Sequence, residues 1–291
     1  MSRTWVLGPT GQLGFYLVER LGGGARAIGR EELDLRDVDQ ISSRLTILAK
    51  AERPGTIVNA TAYNAVDRAE TEADECMGVN RDAPVAIARW CAEQDVAFVH
   101  FSTDFVYSGT GSNIWREEDP ALPVNLYGRS KWEGECRVAQ AHPGAMIFRT
   151  SWVYSHRRSN FVRAILNQAR TGRELNVVHD QIGSPTYADN LANYTLQILA
   201  RPVGGTYNLA DAGYVSRYEF AREILAQASH FEPDLAGVGV RPVDSSTLRL
   251  PAARPLNTRL DLTKVRTTFA VVPLEWRQGL STCLRRMYAG D

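Results

Sequence analysis

Short apolar runs alternate with segments of helical periodicity through the first half of the chain. In the first predicted helix, Leu13, Leu17 and Leu21 recur at a spacing that places them on one helical face. Strands that alternate with helices are typical of βαβ units, in which helices cover both faces of a parallel sheet. The predicted strands of this half are Thr4–Leu7, Ala25–Gly29, Thr56–Thr61, Ala97–Thr103 and Ala145–Val153.

The alternation becomes less regular after about residue 155, where helical patterns predominate. Ser216 and Glu219 have the spacing of a capping box and predict the start of one helix. Residues 231–257 are rich in Pro, Gly, Arg and Ser and predict a long connection. The other predicted elements are helices near 158–171, 188–200, 216–229 and 274–288, and short strands near 176–178 and 205–210.

A glycine-rich segment follows the first predicted strand and opens the first predicted helix. Glycines in this context allow a tight turn and a close approach of a diphosphate to the backbone, and the helix N-terminus offers free N–H groups. The segment therefore predicts a dinucleotide site rather than a merely structural turn. The candidate cofactor-binding residues here are Gly8, Thr10, Gly11, Gln12, Leu13 and Gly14.

These patterns predict an α/β fold with a Rossmann-like, doubly wound parallel sheet and a smaller mixed C-terminal domain. A chain of 291 residues is long enough for both. We place the dinucleotide-binding domain at residues 1–155 and the mainly substrate-binding domain at 156–291. Some segments within about 180–210 are allowed to return to the first domain.

The residues that follow the second strand bear on the choice of cofactor. An acidic side chain at this point binds the 2′-hydroxyl of NADH, whereas an arginine accommodates the 2′-phosphate of NADPH. Arg30 occupies the position, and Asp34 is one of several acidic residues close behind it. The sequence therefore favours NADPH over NADH, with a solvated charge cluster as the alternative.

Tyr127 and Lys131 are four residues apart, which is about one helical turn. A neighbouring ammonium favours the ionised form of a phenol and makes such a tyrosine a usable proton donor. Thr103 ends the fourth predicted strand, where side chains reach the ligand crevice of an α/β sheet. Its hydroxyl could bind a reacting carbonyl oxygen or simply cap the strand. The loop, the Tyr/Lys pair and the strand-end hydroxyl together predict a reductase with Thr103, Tyr127 and Lys131 as catalytic residues.

The charge and cysteine content exclude several other classes of function. Basic and acidic residues balance at 33 each, so no global field attracts nucleic acid or an anionic membrane. The four cysteines form no metal-binding spacing, and no metal site is expected. The sequence has neither a signal peptide nor a run of about 18 apolar residues, so a cytoplasmic protein is expected.

The chain resembles the extended short-chain dehydrogenase/reductases, and within them the dTDP-4-dehydrorhamnose reductase family. The resemblance runs from residue 4 to about residue 288, and its C-terminal blocks are more selective than the glycine loop. The matching blocks are GPTGQLG, VNATAYNAVDRAE, VNRDAP, FSTDFVY, YGRSKWEGE, RTSWVY, NFVRAIL, DQIGSPTYADNLA and ARPLNTRLD.

The resemblance implies a reductase that acts on the 4-keto group of a dTDP-4-dehydro-6-deoxyhexose with NADPH or NADH. Conversion of dTDP-4-dehydro-L-rhamnose to dTDP-L-rhamnose is expected, or formation of a related deoxysugar of a secondary metabolite. The further cofactor-binding residues that it implies are Leu35, Ala60, Ala62 and Tyr63, besides Tyr127 and Lys131. The substrate-binding residues are Val66, Thr103, Asp104, Trp152 and Arg254, the last near the diphosphate.

Three interpretations remain open on the sequence. The alternatives to a reductase are a sugar-nucleotide epimerase or dehydratase on the same fold and a non-catalytic nucleotide-binding regulatory subunit. Some family members carry a glutamate after the glycine loop that takes part in a magnesium-bridged dimer, but this chain has Phe15 and Tyr16 there. Neither aromatic side chain can replace that carboxylate as a ligand of Mg²⁺. The chain is therefore expected to be a monomer or a homodimer, with a magnesium bridge doubtful.

Overall fold

The structure is a computed structural model that describes residues 3–290. The strands are β1 Arg3–Leu7, β2 Ala25–Ile28, β3 Pro54–Asn59, β4 Ala97–Thr103, β5 Met146–Thr150, β6 Val153–Tyr154, β7 Leu175–Val178, β8 Ile182–Gly183, β9 Thr186–Tyr187, β10 Gly205–Asn208, β11 Val215–Ser216 and β12 Val240–Val243. The helices are α1 Gln12–Leu21, α2 Ile41–Ala51, α3 Val66–Ala69, α4 Ala73–Met77, α5 Ala83–Glu93, α6 Leu126–Ala141, α7 Phe161–Ala169, α8 Ala188–Leu199, α9 Arg217–Ala228, α10 Thr263–Phe269 and α11 Trp276–Ala289.

A six-stranded parallel sheet in the order β10-β5-β4-β3-β1-β2 forms the centre of the molecule. The central strands are apolar because helices cover both faces of the sheet, and β4 is buried along nearly its whole length. Buried apolar side chains form one core cluster on each face. The predicted Rossmann-like α/β fold is confirmed.

The second half of the chain contributes to this sheet as well. Strand β10 pairs in parallel with β5 at the sheet edge, and α8 packs against α1. Both elements fall within the range that was allowed to return to the first domain. The domain boundary near residue 155 stays a prediction.

Three pairs of short strands organise the rest of the second half. Strand β6 pairs with β9 and β7 with β12 in parallel, whereas β8 pairs with β11 in antiparallel orientation. Helix α9 begins with the predicted capping box, because the Ser216 hydroxyl accepts the Glu219 N–H and the Glu219 carboxylate accepts the Ser216 N–H. This cap fixes the start of α9 immediately after β11.

Two sequence-based expectations are wrong. The single strand predicted for Ala145–Val153 is two strands, because Trp152 has a φ of 45° and its left-handed backbone interrupts the extended conformation. The connection predicted for 231–257 contains strand β12, which pairs with β7 along its whole length. Its Pro and Gly content concealed the strand, which has Pro242 at an exposed position.

The described residues contain neither a membrane-spanning helix nor a cluster of metal-binding side chains. Among residues 3–290, no helix combines the length and apolar composition needed to cross a bilayer. Within the same range, no group of three or more His, Cys, Asp or Glu side chains could hold a metal ion.

Candidate active site

A groove made of two adjoining cavities follows the carboxyl ends of the central strands. A cavity of about 480 Å³ contains most of the predicted site residues, and one of about 500 Å³ continues from it past the end of β2. Gly8, Thr10 and Ala62 line both cavities. The first is also lined by Gly11, Gln12, Leu13, Ala60, Thr103, Asp104, Tyr127, Lys131 and Trp152, and the second by Arg30, Asp34 and Leu35.

The glycine loop forms a cradle at the junction of the two cavities. A Cβ atom at Gly14 would lie 2.1 Å from the Gly8 carbonyl oxygen, so only glycine lets α1 approach the loop this closely. Helix α1 has no side-chain cap at Gly11. Its first N–H groups and the positive end of its dipole are therefore free for an anion. The cradle fits the diphosphate of a dinucleotide.

A segment from the second half of the chain braces this loop. The Gln12 amide oxygen accepts hydrogen bonds from the Ser155 hydroxyl at 2.8 Å and the Asn160 amide at 3.0 Å. The Arg158 Nε donates to the Thr10 carbonyl oxygen at 2.9 Å. Residues more than 140 positions away thus hold the phosphate loop in place.

Two arginines share one carboxylate in the cavity past β2. Asp34 accepts from Arg36 at 2.5 Å, and its Oδ2 lies 3.5 Å from the Arg30 Nε. The Arg36 guanidinium holds the pKa of Asp34 well below its usual range. The Arg30 side chain is 65% exposed and remains available to a ligand. Glu31 and Glu32 also line this cavity, so its charged side chains are two arginines and three acidic residues.

The N-terminus of α6 brings Tyr127 to the end of β4. The Asn125 side chain caps the helix by accepting the Gly128 N–H at 2.7 Å. A Cβ atom at Gly128 would lie 2.3 Å from the Phe105 carbonyl oxygen, so glycine allows the helix to touch the turn after β4. The Tyr127 ring packs edge-on against Phe105, with 5.7 Å between ring centroids.

Buried polar contacts fix α6 over the sheet. Lys131 is 1% exposed, and its ammonium donates to the Phe101 carbonyl oxygen of β4 at 2.5 Å. One turn later, Glu135 forms a buried ion pair with Arg149 of β5 at 2.8 Å. Burial of the ammonium lowers the pKa of Lys131 to about 8. The Glu135 carboxylate opposes this change, so burial is what lowers the pKa of the lysine.

The Tyr127 side chain is partly exposed to the cavity, and its hydroxyl is in hydrogen-bonding contact with Thr103. Desolvation of the hydroxyl raises the pKa of Tyr127 above its ordinary value, and the Thr103 contact opposes that change. The phenol consequently keeps its proton at neutral pH. A proton donor, rather than a base, is what this environment supports.

Thr103 both caps a turn and faces the cavity, so the two interpretations of this residue are compatible. Its hydroxyl oxygen accepts the Phe105 N–H at 3.2 Å, and its proton goes to Asp104 at 3.1 Å. Asp104 is 2% exposed and also accepts from the Ser151 hydroxyl at 2.8 Å and from Thr258. Desolvation raises the pKa of Asp104, and these hydrogen bonds oppose the rise.

Four predicted residues do not line either cavity. Gly14 acts through the close approach described above, and Val66 is the first residue of α3. The Tyr63 hydroxyl is directed to Glu72, and the Tyr63 N–H donates to Asn80 at 2.8 Å. Arg254 forms a two-pronged ion pair with Asp67 of α3, with nitrogen–oxygen distances of 2.6 and 2.7 Å.

Several side chains at the site were not predicted from the sequence. They are Arg36 in the cavity past β2, Asp67 on Arg254, Arg158 on the phosphate loop, and Ser151 and Thr258 on Asp104. Arg36 meets Asp34 only two residues away, whereas the other side chains meet partners in distant parts of the chain, so no local pattern signals them.

A family model described as the RmlD substrate binding domain matches residues 2–289. The chain belongs to the RmlD substrate binding domain family. A dTDP-4-dehydrorhamnose reductase of Burkholderia thailandensis, which covers 96% of this chain with 97% of its own length, is 34% identical. The spore coat polysaccharide biosynthesis protein SpsK of Bacillus subtilis is also 34% identical, with 98% of each chain covered.

Solved structures of two sugar-nucleotide enzymes have the same fold as this chain. A dTDP-4-dehydrorhamnose reductase of Bacillus anthracis in complex with NADP has a TM-score of 0.90 at 29% identity, covering 98% of this chain and 99% of its own. DesIV of Streptomyces venezuelae, a dTDP-glucose 4,6-dehydratase with NAD and TYD bound, has a TM-score of 0.80 at 18% identity, covering 99% and 97%. The second likeness shows the fold alone.

Proposed function

We propose that this chain is an NADPH-dependent reductase of the 4-keto group of a dTDP-4-dehydro-6-deoxyhexose, with dTDP-4-dehydro-L-rhamnose as the expected substrate. The observation that carries the proposal is that Thr103, Tyr127 and Lys131 line the same cavity as the glycine loop. Full-length similarity to reductases of that name supports the substrate class. A nicotinamide bound in the groove would supply the hydride.

The chain's own groups handle the carbonyl oxygen of the substrate. Tyr127 donates its proton to this oxygen as negative charge develops there, because the phenol is neutral at working pH and partly exposed to the cavity. The Thr103 hydroxyl turns from Asp104 to donate a hydrogen bond to the same oxygen. The Lys131 ammonium stabilises the tyrosinate that remains and would bind the nicotinamide ribose.

Replacement of the proton donor tests this mechanism. In Tyr127→Phe, kcat/KM for the keto sugar should fall by about 10²–10⁴-fold, as expected for loss of a positioned proton donor. NADPH binding, measured by fluorescence titration, should be retained. Tyr214→Phe is the matched control, since the Tyr214 hydroxyl donates to the Leu260 carbonyl oxygen, away from the site. Undiminished turnover in Tyr127→Phe would remove this residue from the mechanism.

The two alternative functions give different assay results. A reductase consumes one reduced nicotinamide per sugar, which is followed by its ultraviolet absorbance. An epimerase or dehydratase converts the sugar without net consumption. A regulatory subunit binds sugar nucleotides but turns over none of them. The intact set of Thr103, Tyr127 and Lys131 at one cavity favours the reductase.

The proposed preference for NADPH rests on Arg30. Its exposed guanidinium lies beside the cavity past β2, where a 2′-phosphate would accept charge-assisted hydrogen bonds. In Arg30→Ala, KM for NADPH should rise about ten-fold, the effect of one such contact, while KM for NADH stays unchanged. Arg44→Ala, on the exposed face of α2, is the control. An equal rise for both cofactors would contradict the assignment.

The oligomeric state stays a prediction of monomer or homodimer. At the position next to Phe15, Tyr16 is fully buried, and its hydroxyl bonds to the His156 Nδ1 at 2.5 Å and the Tyr187 hydroxyl at 2.8 Å. This side chain belongs to the core and leaves no carboxylate here to join two subunits through Mg²⁺.

A further inference from the structure

Arg217, the first residue of α9, holds its guanidinium against two aromatic rings. The guanidinium carbon lies 3.5 Å from the centroid of the Trp152 ring and 4.8 Å from that of Phe161. Its side chain has neither an ion-pair nor a hydrogen-bond partner within residues 3–290. Stacking leaves the in-plane N–H donors of a guanidinium free. Arg217 therefore keeps its charge and donors without an anion to bind.

The short strands bring this cation next to Arg254. Ser216 pairs with Ile182 across β11 and β8. The Ile182 N–H donates to the Leu256 carbonyl oxygen at 2.7 Å, and the Ile182 carbonyl oxygen accepts the Thr258 N–H at 2.8 Å. Strand β8 therefore lies between β11, which Arg217 follows directly, and residues 256–258, which follow Arg254 by two residues.

The electrostatic interactions of Arg217 are consistent with a position close to Arg254. Burial lowers the pKa of Arg217 to about 9, the Asp104 carboxylate opposes the drop, and the Arg254 guanidinium contributes to it. Asp104 lies in the cavity with Thr103 and Tyr127, whereas Arg254 pairs with Asp67 of α3. Arg217 is therefore a cation close enough to interact electrostatically with both Asp104 and Arg254.

We propose that Arg217 binds the sugar-linked phosphate of a nucleoside diphosphate sugar, with Arg254 at the neighbouring phosphate. The inference rests on the proposed function and adds a substrate-binding residue to it. Two guanidiniums that repel each other without a ligand are both stabilised by a diphosphate between them. The stack on Trp152 fixes the guanidinium plane, so the bound phosphate also orients the sugar toward Tyr127.

Thymidine diphosphate and thymidine monophosphate serve as probes of the two phosphates, because the monophosphate lacks the one assigned to Arg217. Isothermal titration with the NADP⁺-loaded enzyme measures both affinities without turnover. In Arg217→Met, which keeps an apolar stem against Trp152, the diphosphate should bind about 10–100-fold more weakly, as for loss of a charged hydrogen bond. The monophosphate affinity should change by less than about two-fold. Arg217→Lys should fall between the wild type and Arg217→Met.

Arg222→Met is the matched control, because Arg222 is an exposed arginine of the same helix that contacts the Tyr218 ring. It should bind both probes as the wild type does. Equal affinity of the wild type and Arg217→Met for the diphosphate would overturn the inference alone. Equal weakening of both probes would also overturn it and assign Arg217 to the support of Trp152. If the wild type does not bind the diphosphate, the proposed function fails and the inference fails with it.

Discussion

A buried lysine holds its proton less tightly than an exposed one, and Lys131 is only 1% exposed. Its only hydrogen bond within residues 3–290 is to the Phe101 carbonyl oxygen. Burial disfavours the charged form of an amine, which is why the pKa of Lys131 falls to about 8. The ammonium is present at neutral pH and is lost as the pH rises through about 8.

The pH dependence of turnover should follow this titration. In the wild type, kcat/KM should decline above about pH 8, because deprotonated Lys131 no longer stabilises the tyrosinate. Lys131→Arg should move the decline to higher pH, since a guanidinium stays charged. Lys264→Arg is the control, because Lys264 is an exposed lysine paired with Glu118. A wild-type decline only near pH ~10.4, the ordinary value for lysine, would contradict the role of burial.

Residues differ in how far the sequence reveals them. The spacing of Tyr127 and Lys131 predicted a shared helical face, and both line one cavity on α6. The place of Thr103 in the site was equally predictable, because the carboxyl ends of parallel strands lie at the same edge of the sheet. Arg217 was not predicted, since its partner Trp152 is 65 residues away and its stacking depends on tertiary packing.

Two helices hold the segment that carries Arg254. Asp67 of α3 accepts from both Arg254 and the Ala252 N–H, and Asn125 at the start of α6 donates to the Ala253 carbonyl oxygen at 2.7 Å. The Arg254 guanidinium holds the pKa of Asp67 below its usual range, so the carboxylate is charged at neutral pH. These helices thereby fix the position of the loop that carries Arg254.

Loss of the α3 anchor should affect substrate binding more than stability. The Asp67–Arg254 pair is partly exposed, so Asp67→Ala should cost at most about 1 kcal/mol of unfolding free energy. The freed Arg254 side chain must then be ordered by the substrate, which should raise KM for the sugar nucleotide about five-fold with kcat unchanged. Asp74→Ala, at an exposed position of α4, is the control. A lower KM would show that Asp67 competes with the substrate instead.

Helices and strands were predicted correctly where a regular pattern continued. The prediction was wrong where a single residue interrupted the pattern. The capping box of α9 was found at its predicted place because both partners lie within one turn. The break between β5 and β6 was not predicted, because tryptophan is common in strands and the neighbouring residues do not indicate the positive φ of Trp152. That break turns Trp152 into the cavity and is part of the site.

At the scale of the whole molecule, the alternation of strands and helices was sufficient to predict the parallel sheet. The edge strand β10 and the pairing of β12 with β7 depend on contacts across long stretches of chain. Periodicity reports which residues are buried but not which distant segment covers them. The sheet was therefore predictable strand by strand, whereas the small sheets of the second half were not.

The braces on the phosphate loop have a consequence for how the enzyme matures. Gln12 and Thr10 are held by Ser155, Asn160 and Arg158, and the sheet is completed only by β10. A nascent chain that has emerged only through β5 lacks all of these supports. We therefore expect firm coenzyme capture to arise late in synthesis, once the polypeptide beyond residue 208 has left the ribosome.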